Sequence, residues 1–472
     1  MNDDGIKIGL ETHIQLDTKS KLFCGCSTDL SEEPNSHTCE TCLGMPGSKP
    51  RTNGKVIEYA IKASLALNCD INDMVRFSRK TYFYPDMSKN FQITQHEIPV
   101  GESGEIKTRL GNQEKKIRIK RLHIEEDPAR IIHKGGDITS SDYTLIDYNR
   151  AGIPLIEIVT KPDFRTPEEA RRFLQKLTKI MEYLGIYDPS SDLSIKSDAN
   201  ISIKGGERVE VKNITGTRGI EKALKYEITR QKNLKKRGRN IERETRAYNS
   251  SQEITRSMRQ KESEAGYGYI LEPDLTKLDV TDEKIIEIEN DIPELPDKKL
   301  SRFIEEYGLK KEIAESLVTE KEIADDFEEL VEVHDTTLTA NWMTKELKKT
   351  LNYNDMTYKE SNLKIEWLSY IIGLLEERKI TDRNAEKLVR IIVEEPEDPR
   401  VIVEKEDMLK ADGSELDEII VEVIDSNNEA VEDFKRGEEG ALNFLVGQVM
   451  KKSGGKADPR ESRSMILEKI DE

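Results

Sequence analysis

The sequence lacks a hydrophobic run long enough to cross a membrane, and residues 1–5 (MNDDG) lack the basic and apolar regions of a signal peptide. It also lacks excess positive charge: its 472 residues carry a formal charge of −18, which disfavours general binding to polyanions. Neither a GxxxxGKS/T loop nor a GxGxxG loop is present, so a phosphate ligand would need another kind of site. We therefore expect a cytoplasmic protein.

The length exceeds that of a single hydrophobic core and indicates two or three domains. Strand and helix patterns alternate up to about residue 291, including a helix over residues 167–184 with Thr166 as its N-cap. After residues 293–296 (PELP) only helical spacing remains, and residues 396–399 (PEDP) mark a second joint. These signals predict an α+β domain with an antiparallel sheet (1–292), an all-α domain (293–399) and a small all-α tail (400–472).

Four of the five cysteines form one spaced set, Cys24-x-Cys26 and Cys39-x2-Cys42. This spacing is typical of a tetrahedral thiolate zinc site, which would be structural because four protein thiolates leave no place for a substrate. Unligated thiols are the alternative, since disulfides are disfavoured in the cytoplasm. Cys69 lies in a helix-like stretch and is interpreted as a packed core thiol.

Acidic groups occur on several predicted strands. Residues 6–16 alternate, which places Glu11 and His13 side by side on one face, where they could share a divalent ion or form an ordinary polar sheet face. A second strand ends in Glu125-Glu126-Asp127. Carboxylates that converge on one cleft repel each other unless a hard cation such as magnesium binds them, and magnesium commonly brings a nucleotide phosphate.

Residues 147–159 (DYNRAGIPLIEIV) place charged groups in an apolar stretch that bends at residues 152–154. Glu157 lies between Ile156 and Ile158, and a buried, unpaired carboxylate costs several kcal/mol. We therefore expect it to be paired, to bind a metal or to face a cleft. A structural network that holds the bend is an equal explanation for Asp147, Asn149 and Arg150.

Basic side chains are concentrated in a few segments. Residues 78–95 place Lys80, Tyr82 and Tyr84 on one side of an extended segment, with Lys89 following, which suits phosphate binding and stacking on a base. Residues 230–246 hold eight Lys or Arg against two Glu, and they are either a nucleic-acid contact or a solvated helix face. In the tail, residues 401–433 hold twelve Asp or Glu against two Lys, so only its second half suits phosphate.

Several motifs together carry a family resemblance across the whole chain, in order. They are GLETH at 9–13, the four cysteines, LGMPG at 43–47, residues 79–86, EED at 125–127, residues 147–159, DANIS at 198–202, ANW at 340–342 and NFLVGQVMK at 443–451. This set resembles the B subunits of the glutamine-dependent aspartyl/glutamyl-tRNA amidotransferases. A related archaeal subunit specific for glutamyl-tRNA has an inserted domain for which this length leaves no room.

The resemblance implies a glutamine-hydrolysing carbon–nitrogen ligase. Its B subunit activates the side-chain carboxylate of misacylated Asp-tRNA(Asn) or Glu-tRNA(Gln) with ATP and magnesium, and then amidates it with ammonia. The implied partners are the glutaminase A subunit, the small C subunit, the misacylated tRNA and the non-discriminating aminoacyl-tRNA synthetase. The alternative is a non-catalytic, zinc-containing, tRNA-binding adaptor subunit.

By the same resemblance, the metal and activation centre consists of Glu11, His13, Glu125 and Glu157, with Glu126, Asp147 and Asn149 as further members. The residues implied for ATP or the substrate carboxylate are Lys80, Tyr82, Tyr84 and Lys89. The implied zinc ligands are Cys24, Cys26, Cys39 and Cys42. The implied tRNA-binding residues of the tail are Lys451, Lys452, Lys456 and Arg460. Residues 214–217 and 268–271 depart from the usual family pattern, so substrate preference between the two tRNAs stays open.

Overall fold

The computed structural model describes residues 5–31, 33–110, 113–134, 141–189, 195–258, 268–411 and 413–471. The chain divides into two compact units, Met1–Leu295 and Pro296–Glu472. The first unit combines strands with helices, and the second is helical. Among the described residues, no helix is both long enough and apolar enough to cross a membrane.

The strands of the described chain all lie in the first unit. They are β1 (Lys7–Gln15), β2 (Asp70–Ile71), β3 (Met74–Val75), β4 (Ser78–Thr81), β5 (Phe91–Thr94), β6 (Gly101–Glu102), β7 (Glu105–Leu110), β8 (Gln113–Glu126), β9 (Arg130–Lys134), β10 (Tyr143–Asp147), β11 (Pro154–Thr160), β12 (Ile195–Ser202), β13 (Val209–Thr215), β14 (Glu244–Asn249), β15 (Ile254–Ser257), β16 (Tyr269–Leu271) and β17 (Leu278–Asp279). The helices of this unit are α1 (Gly54–Ala66), α2 (Pro167–Tyr183), α3 (Gly216–Lys236) and α4 (Asp282–Asn290).

One large sheet organises the first unit. Its order is β15–β14–β13–β12–β1–β11–β8–β6–β2, with β7 paired to β8 beside this path. Neighbouring strands are antiparallel except β13 and β14, which are parallel. The predicted antiparallel sheet is therefore a mixed sheet. The physical reason is α3, because two parallel neighbours need a crossover connection and this helix supplies it. A separate small sheet has the order β16–β4–β5.

The sheet has one apolar and one polar face because its side chains alternate. In β1, Ile8, Leu10 and Ile14 are fully or almost fully buried and belong to the main hydrophobic core. Helices α1, α2 and α3 pack on strands of this sheet and carry core residues. The predicted helix over 167–184 is confirmed as α2, with the Thr166 hydroxyl accepting a hydrogen bond from the Glu169 backbone N–H at 3.2 Å. The opposite face of β1 is left for polar side chains.

The second unit is helical, as the sequence predicts for this region. Its helices are α5 (Pro296–Glu305), α6 (Lys311–Leu317), α7 (Lys321–Leu330), α8 (Thr336–Asn341), a π-helix (Trp342–Leu347), α9 (Lys348–Tyr353), α10 (Ile365–Glu376), α11 (Asp382–Glu394), α12 (Pro399–Lys405), α13 (Gly413–Ser426), α14 (Asn428–Lys435), α15 (Glu439–Lys452) and α16 (Pro459–Asp471). One hydrophobic cluster runs from Phe303 to Met408 and another from Leu416 to Ile470. The division of this unit at residue 400 stays a prediction.

Candidate active site and metal centres

A row of ionisable side chains crosses the polar face of the large sheet. His13 of β1 is paired with Lys196 of β12 on one side and with Glu157 of β11 on the other. Glu157 is in turn paired with His123 of β8. Directly opposed residues on neighbouring strands point to the same face of the sheet, so the row is a consequence of strand register.

Glu125 joins this row because it lies two residues after His123 on β8 and therefore on the same face. His13 Nε2 lies 3.1 Å from Glu157 Oε2 and 3.4 Å from Glu125 Oε1. His123 Nε2 lies 3.6 Å from Glu157 Oε2 and 3.9 Å from Glu125 Oε2. We call His13, His123, Glu125 and Glu157 the acid cluster.

The members of the acid cluster shift each other's pKa in opposite directions. Burial opposes the charged form of Glu157, but His123 and His13 hold the pKa of that carboxyl well below its usual value. Burial also opposes the charge on His13, yet its hydrogen bond to Glu157 and the nearby carboxylates raise the pKa of His13 to about 10. For Glu125, burial and the charge of Glu157 both raise the pKa. Burial lowers the pKa of His123 to about 4.

The donor atoms of His13, Glu125 and Glu157 fit a divalent cation. One ligand atom from each lies within 4.8 Å of the other two. In an octahedral magnesium site with bonds of about 2.1 Å, neighbouring ligands are about 3.0 Å apart. The separations of 3.1 and 3.4 Å from His13 to the two carboxylates are close to that value. The two carboxylates also supply the oxygen ligands that magnesium prefers.

Glu11 lies one pleat away from His13 and contacts a second polar group. Its Oε1 accepts a hydrogen bond from Asn200 Nδ2 at 2.9 Å. Nearby, Lys212 Nζ lies 3.1 Å from both Asp198 Oδ2 and Glu210 Oε1. Burial first, and then the charges of Glu157, Asp198 and Glu210, raise the pKa of Glu11 to about 7. The structure therefore places Glu11 next to the acid cluster, in a region rich in negative charge.

The small β16–β4–β5 sheet brings basic residues to the same region. Burial disfavours the charged form of Lys80 on β4, but Glu125 and Glu157 raise its pKa overall. Lys89 Nζ donates to both carboxylate oxygens of Glu126, at 2.5 and 2.7 Å, and Glu126 Oε1 also accepts the Ile93 backbone N–H at 2.8 Å. Lys80 thus interacts electrostatically with the acid cluster, whereas Lys89 is paired with the adjacent carboxylate.

Tyr82 and Tyr84 lie together in the loop between β4 and β5. Their ring centroids are 6.1 Å apart and the rings are inclined by 33°. Phe83, between them, is 77% exposed. The two tyrosine rings are therefore neighbours, while Phe83 is exposed to solvent; the shared side predicted for Lys80, Tyr82 and Tyr84 stays a prediction.

Asp147 and Asn149 bind a different part of the chain from the acid cluster. Asp147 Oδ1 accepts the Asn35 backbone N–H at 2.9 Å, and Asn149 Oδ1 accepts the His37 backbone N–H at 2.7 Å. Asn149 Nδ2 donates to the Glu33 carbonyl at 2.8 Å. Their described hydrogen bonds hold the loop over residues 33–37, which lies between the two cysteine pairs.

Arg150 and Gly152 define the bend before β11. The Arg150 guanidinium makes two hydrogen bonds of 2.6 Å to the carboxylate of Asp127, which also accepts one from Gln15 Nε2 at 2.6 Å. Gly152 has φ of +85°, a left-handed conformation that favours glycine. These contacts favour the second explanation for Asp147, Asn149 and Arg150, in which they form a structural network that holds the bend.

The four spaced cysteines converge on one point. One sulfur from each of Cys24, Cys26, Cys39 and Cys42 lies within 4.8 Å of the others, and Cys39 Sγ and Cys42 Sγ are 3.9 Å apart. Tetrahedral zinc with Zn–S bonds of about 2.3 Å separates its sulfurs by about 3.8 Å, so the set fits zinc. Cys69 is buried in the main core, away from this set, as predicted.

A buried lysine approaches the cysteine cluster. Lys21 is fully buried, and its Nζ donates to the His37 carbonyl at 2.8 Å, to the Tyr148 carbonyl at 3.1 Å and to Cys42 Sγ at 3.8 Å. A hydrogen bond from Cys24 and, to a smaller extent, the charge of Lys21 lower the pKa of Cys42 to about 5, although burial opposes this. The thiolate form that a metal requires is therefore favoured at Cys42, whereas the hydrogen bond to Cys42 raises the pKa of Cys24 and burial raises the pKa of Cys26.

The four basic residues of the tail that are predicted to bind tRNA differ in whether they form ion pairs. Lys452 forms an ion pair with Glu422, and Lys456 forms ion pairs with Asp407 and Glu415. Lys451 and Arg460 are both exposed, and the Arg460 backbone N–H donates to Asp458 Oδ1 at 2.8 Å. Their predicted role in tRNA binding stays a prediction.

Sequence reasoning missed His123 and Lys21 as members of these sites. His123 had a usable signal, because alternation along IRIKRLHIEE places it on the face of Glu125. Lys21 had none, since a lysine in DTKSKLF has the local pattern of a surface residue. Asp198 and Lys212, which flank Glu11, belong to the antiparallel pair of β12 and β13.

Matches to known protein families first identify the class of enzyme subunit to which this chain belongs. The family model for the GatB/GatE catalytic domain matches residues 6–286, which contain the acid cluster and the cysteine cluster. The family model for the GatB domain matches residues 325–470 in the helical unit.

Full-length relatives then specify the family. The aspartyl/glutamyl-tRNA(Asn/Gln) amidotransferase B subunit from Methanospirillum hungatei is 46% identical over 100% of this chain and 99% of its own length. That of Haloquadratum walsbyi is 45% identical over 98% and 97%, and that of Carboxydothermus hydrogenoformans is 41% identical over 98% and 98%. This chain belongs to the family of aspartyl/glutamyl-tRNA(Asn/Gln) amidotransferase B subunits, which confirms the resemblance seen in the sequence.

Proposed function

We propose that this chain acts as the activating subunit of a tRNA-dependent amidotransferase. Its substrate is the side-chain carboxylate of Asp or Glu on a misacylated tRNA, which it activates with ATP and magnesium for amidation. The observation that carries the proposal is the acid cluster, within a chain that matches the family over nearly its whole length. Two carboxylates and a histidine at ligand spacing on one rigid sheet face suit a cation that binds phosphate.

The reaction needs activation because a carboxylate is a poor electrophile. An oxygen of the substrate carboxylate attacks the γ-phosphorus of ATP, the bond to the ADP oxygen breaks, and an acyl phosphate forms. Ammonia then attacks the acyl carbon, phosphate leaves, the nitrogen loses a proton and the amide remains. Magnesium, when bound, offsets the negative charge of the phosphates during the first step.

Each group of residues receives a role by position. His13, Glu125 and Glu157 hold the cation, and Glu11 supports it from the adjacent pleat. Lys80, whose charge is favoured by Glu125 and Glu157, binds a phosphate or the substrate carboxylate. Lys89 pairs with Glu126 and orients the Glu126 carboxylate. Like Lys80, it binds a phosphate or the substrate carboxylate. The ring pair Tyr82 and Tyr84 offers a stacking surface for a base.

The remaining assignments concern structure and partners. A zinc ion on the four cysteines would stabilise the loop that Asp147 and Asn149 also hold. Ammonia comes from a glutaminase A subunit, with a small C subunit in the same complex, and the tail bases contact tRNA. On this basis the chain alone lacks glutaminase activity, so glutamine hydrolysis by the isolated chain would contradict the proposal.

The test replaces Glu125 with Gln, and separately Glu157 with Gln, in the complex reconstituted with its partner subunits. Both Asp-tRNA(Asn) and Glu-tRNA(Gln) are offered, and the aminoacyl products are identified by mass spectrometry. We expect amide formation to fall at least 100-fold for each variant while tRNA binding is retained, because the cation site loses a charged ligand. The product pattern of the wild-type complex also reports which tRNA it uses.

The control is Glu102→Gln, an exposed residue of β6, the strand next to the edge strand β2 of the same sheet, and it should leave activity unchanged. A non-catalytic adaptor, the alternative function, has no use for the acid cluster. Undiminished amide formation by Glu125→Gln and Glu157→Gln would therefore refute the activating role and support the adaptor.

A further inference from the structure

Two basic segments that are distant in sequence meet at one edge of the first unit. The first is the β12–β13 hairpin turn, with Lys204 and Arg208, and the second is the end of α3 with its loop to β14. We call the seven bases of residues 204–208 and 235–243 the basic edge. They are Lys204, Arg208, Lys235, Lys236, Arg237, Arg239 and Arg243.

The two segments are fixed to each other by three contacts. Lys235 Nζ donates to the Lys204 carbonyl at 2.6 Å, and the Glu207 backbone N–H donates to the Ile241 carbonyl at 3.1 Å. Ile241 is buried and packs so closely on Gly206 that a Cβ added there would lie 2.8 Å from Ile241 Cδ1. The basic edge is therefore a defined surface rather than a set of independent side chains.

Its charge is not neutralised within the described part of the chain. All seven bases are exposed, and none forms an ion pair with a described residue. Only Glu207 and Glu242 oppose them in these segments, which leaves a local charge of +5 on a chain of −18. By contrast, Arg230 and Arg246 of the same basic stretch form ion pairs with Glu244, at 2.8 and 3.0 Å. These two arginines therefore have a structural role, which distinguishes them from the seven bases of the basic edge.

We propose that the basic edge binds the phosphate backbone of the tRNA substrate. This inference rests on the proposed function, because that function requires the chain to hold an RNA. Clustered cations that form no ion pair with a described residue repel one another, and a polyanion removes that repulsion while releasing its own counterions. Arginine forks, which make up four of the seven bases, match phosphate geometry in two-pronged hydrogen bonds. Phosphate contacts of this kind position an RNA without reading its sequence.

The test uses the full complex with Arg237→Gln, Arg239→Gln and Arg243→Gln combined, since these exposed side chains make no hydrogen bond to another described residue that folding would lose. Affinity for uncharged tRNA is measured from 0.1 to 1 M salt. We expect the negative slope of the logarithm of the association constant against log salt to become shallower by about 2, because each lost phosphate contact removes about 0.7–0.9 from its magnitude. If the curves converge at 1 M, that slope corresponds to about 100-fold weaker binding at 0.1 M. For amide formation, KM for misacylated tRNA should rise while kcat stays unchanged.

A control variant with the same change of charge carries Lys107→Gln, Arg109→Gln and Lys116→Gln. These residues lie on the β7–β8 hairpin and pair with Glu114 or Glu105. The control should bind tRNA like the wild type, and a third variant with Arg237→Lys, Arg239→Lys and Arg243→Lys should recover the salt dependence. Equal weakening by the control, or unchanged binding by the Gln variant, would overturn the proposal.

Two further outcomes are informative. If the Gln variant binds tRNA normally but no longer assembles with its partner subunits, the proposal is overturned and the basic edge belongs to a protein interface. Amide formation by the wild-type complex tests the proposed function separately. A complex that forms no amide but shows the expected difference between variants would refute that function while retaining the basic edge as an RNA-binding surface.

Discussion

Lys21→Met tests how the cysteine cluster is held together. The Lys21 side chain has no solvent exposure, and its three hydrogen-bond acceptors come from two parts of the chain: His37 and Cys42 in the cysteine loop, and Tyr148. Four thiolates on a zinc ion would carry a net charge of −2. The Lys21 ammonium offsets part of this charge by donating a hydrogen bond to Cys42 Sγ. Methionine keeps most of the length and volume of the side chain while removing its charge and its donors.

The magnitude follows from the acceptors that lose their donor. The Tyr148 carbonyl keeps a bond from the Ala151 N–H, so its loss is small. The His37 carbonyl loses its recorded donor, which costs about 1–3 kcal/mol, and the Cys42 thiolate loses a charged bond of about 1.5–3 kcal/mol. Relief of lysine desolvation offsets part of this, so we expect a net loss of about 3 kcal/mol. For a unit of this size that corresponds to a Tm lower by about 6 °C.

Thermal unfolding of zinc-loaded protein, followed by circular dichroism, measures this loss. Competition with a chromophoric chelator should show 10–100-fold weaker zinc binding, as is typical when a group that supports metal ligands is removed. The control is Lys55→Met, an exposed lysine paired with Glu58 on α1, and it should change stability by no more than about 0.5 kcal/mol. A Tm within 1 °C of the wild type, together with unchanged zinc affinity, would refute the charge argument.

The remaining predictions concern the cysteines and the bend before β11. Cys39→Ser removes one of the four thiolates, so the zinc content measured by atomic emission should fall from about one ion per chain to near zero, and full retention would contradict the site. Gly152→Ala forces a Cβ into φ of +85° and should destabilise the protein by about 1–2 kcal/mol in urea unfolding, whereas an unchanged midpoint would exclude strain. Arg150→Met leaves the buried Asp127 without its two-pronged partner and should cost about 3 kcal/mol by the same assay. Adding Asp127→Asn should restore part of that loss, and strict additivity would show that the pair is not coupled.

The parts of the site that could be predicted from the sequence have a local signal. Alternation along residues 6–16 places Glu11 and His13 on one face, and the structure has them on the polar face of β1. The cysteine spacing predicts a cluster because four thiols within 19 residues can reach one ion, and their sulfurs do converge. The helix over 167–184 has a cap, a periodic apolar face and a glycine stop.

Features that depend on strand order could not be predicted in this way. Glu157 lies between His13 and His123 because β11 has β1 and β8 as its neighbours in the sheet. No local sequence pattern encodes that strand order. The parallel pairing of β13 and β14 depends on where the chain returns after α3, so a hairpin-rich sequence predicts a purely antiparallel sheet. Burial of Lys21 depends on the cysteine loop, with His37 and Cys42, and the distant segment at Tyr148 closing around it.

The charged run at residues 147–159 shows how these levels combine. Asn149 holds the loop between the cysteine pairs, Arg150 binds Asp127 just beyond the end of β8, and Glu157 enters the acid cluster. One short segment therefore connects the cysteine loop to the strand end that carries Glu125. Because side-chain bonds anchor this segment on both sides of its bend, they fix the cysteine loop relative to the strand that carries Glu157. The cysteine loop can thus help to define the geometry of the acid cluster without contacting it.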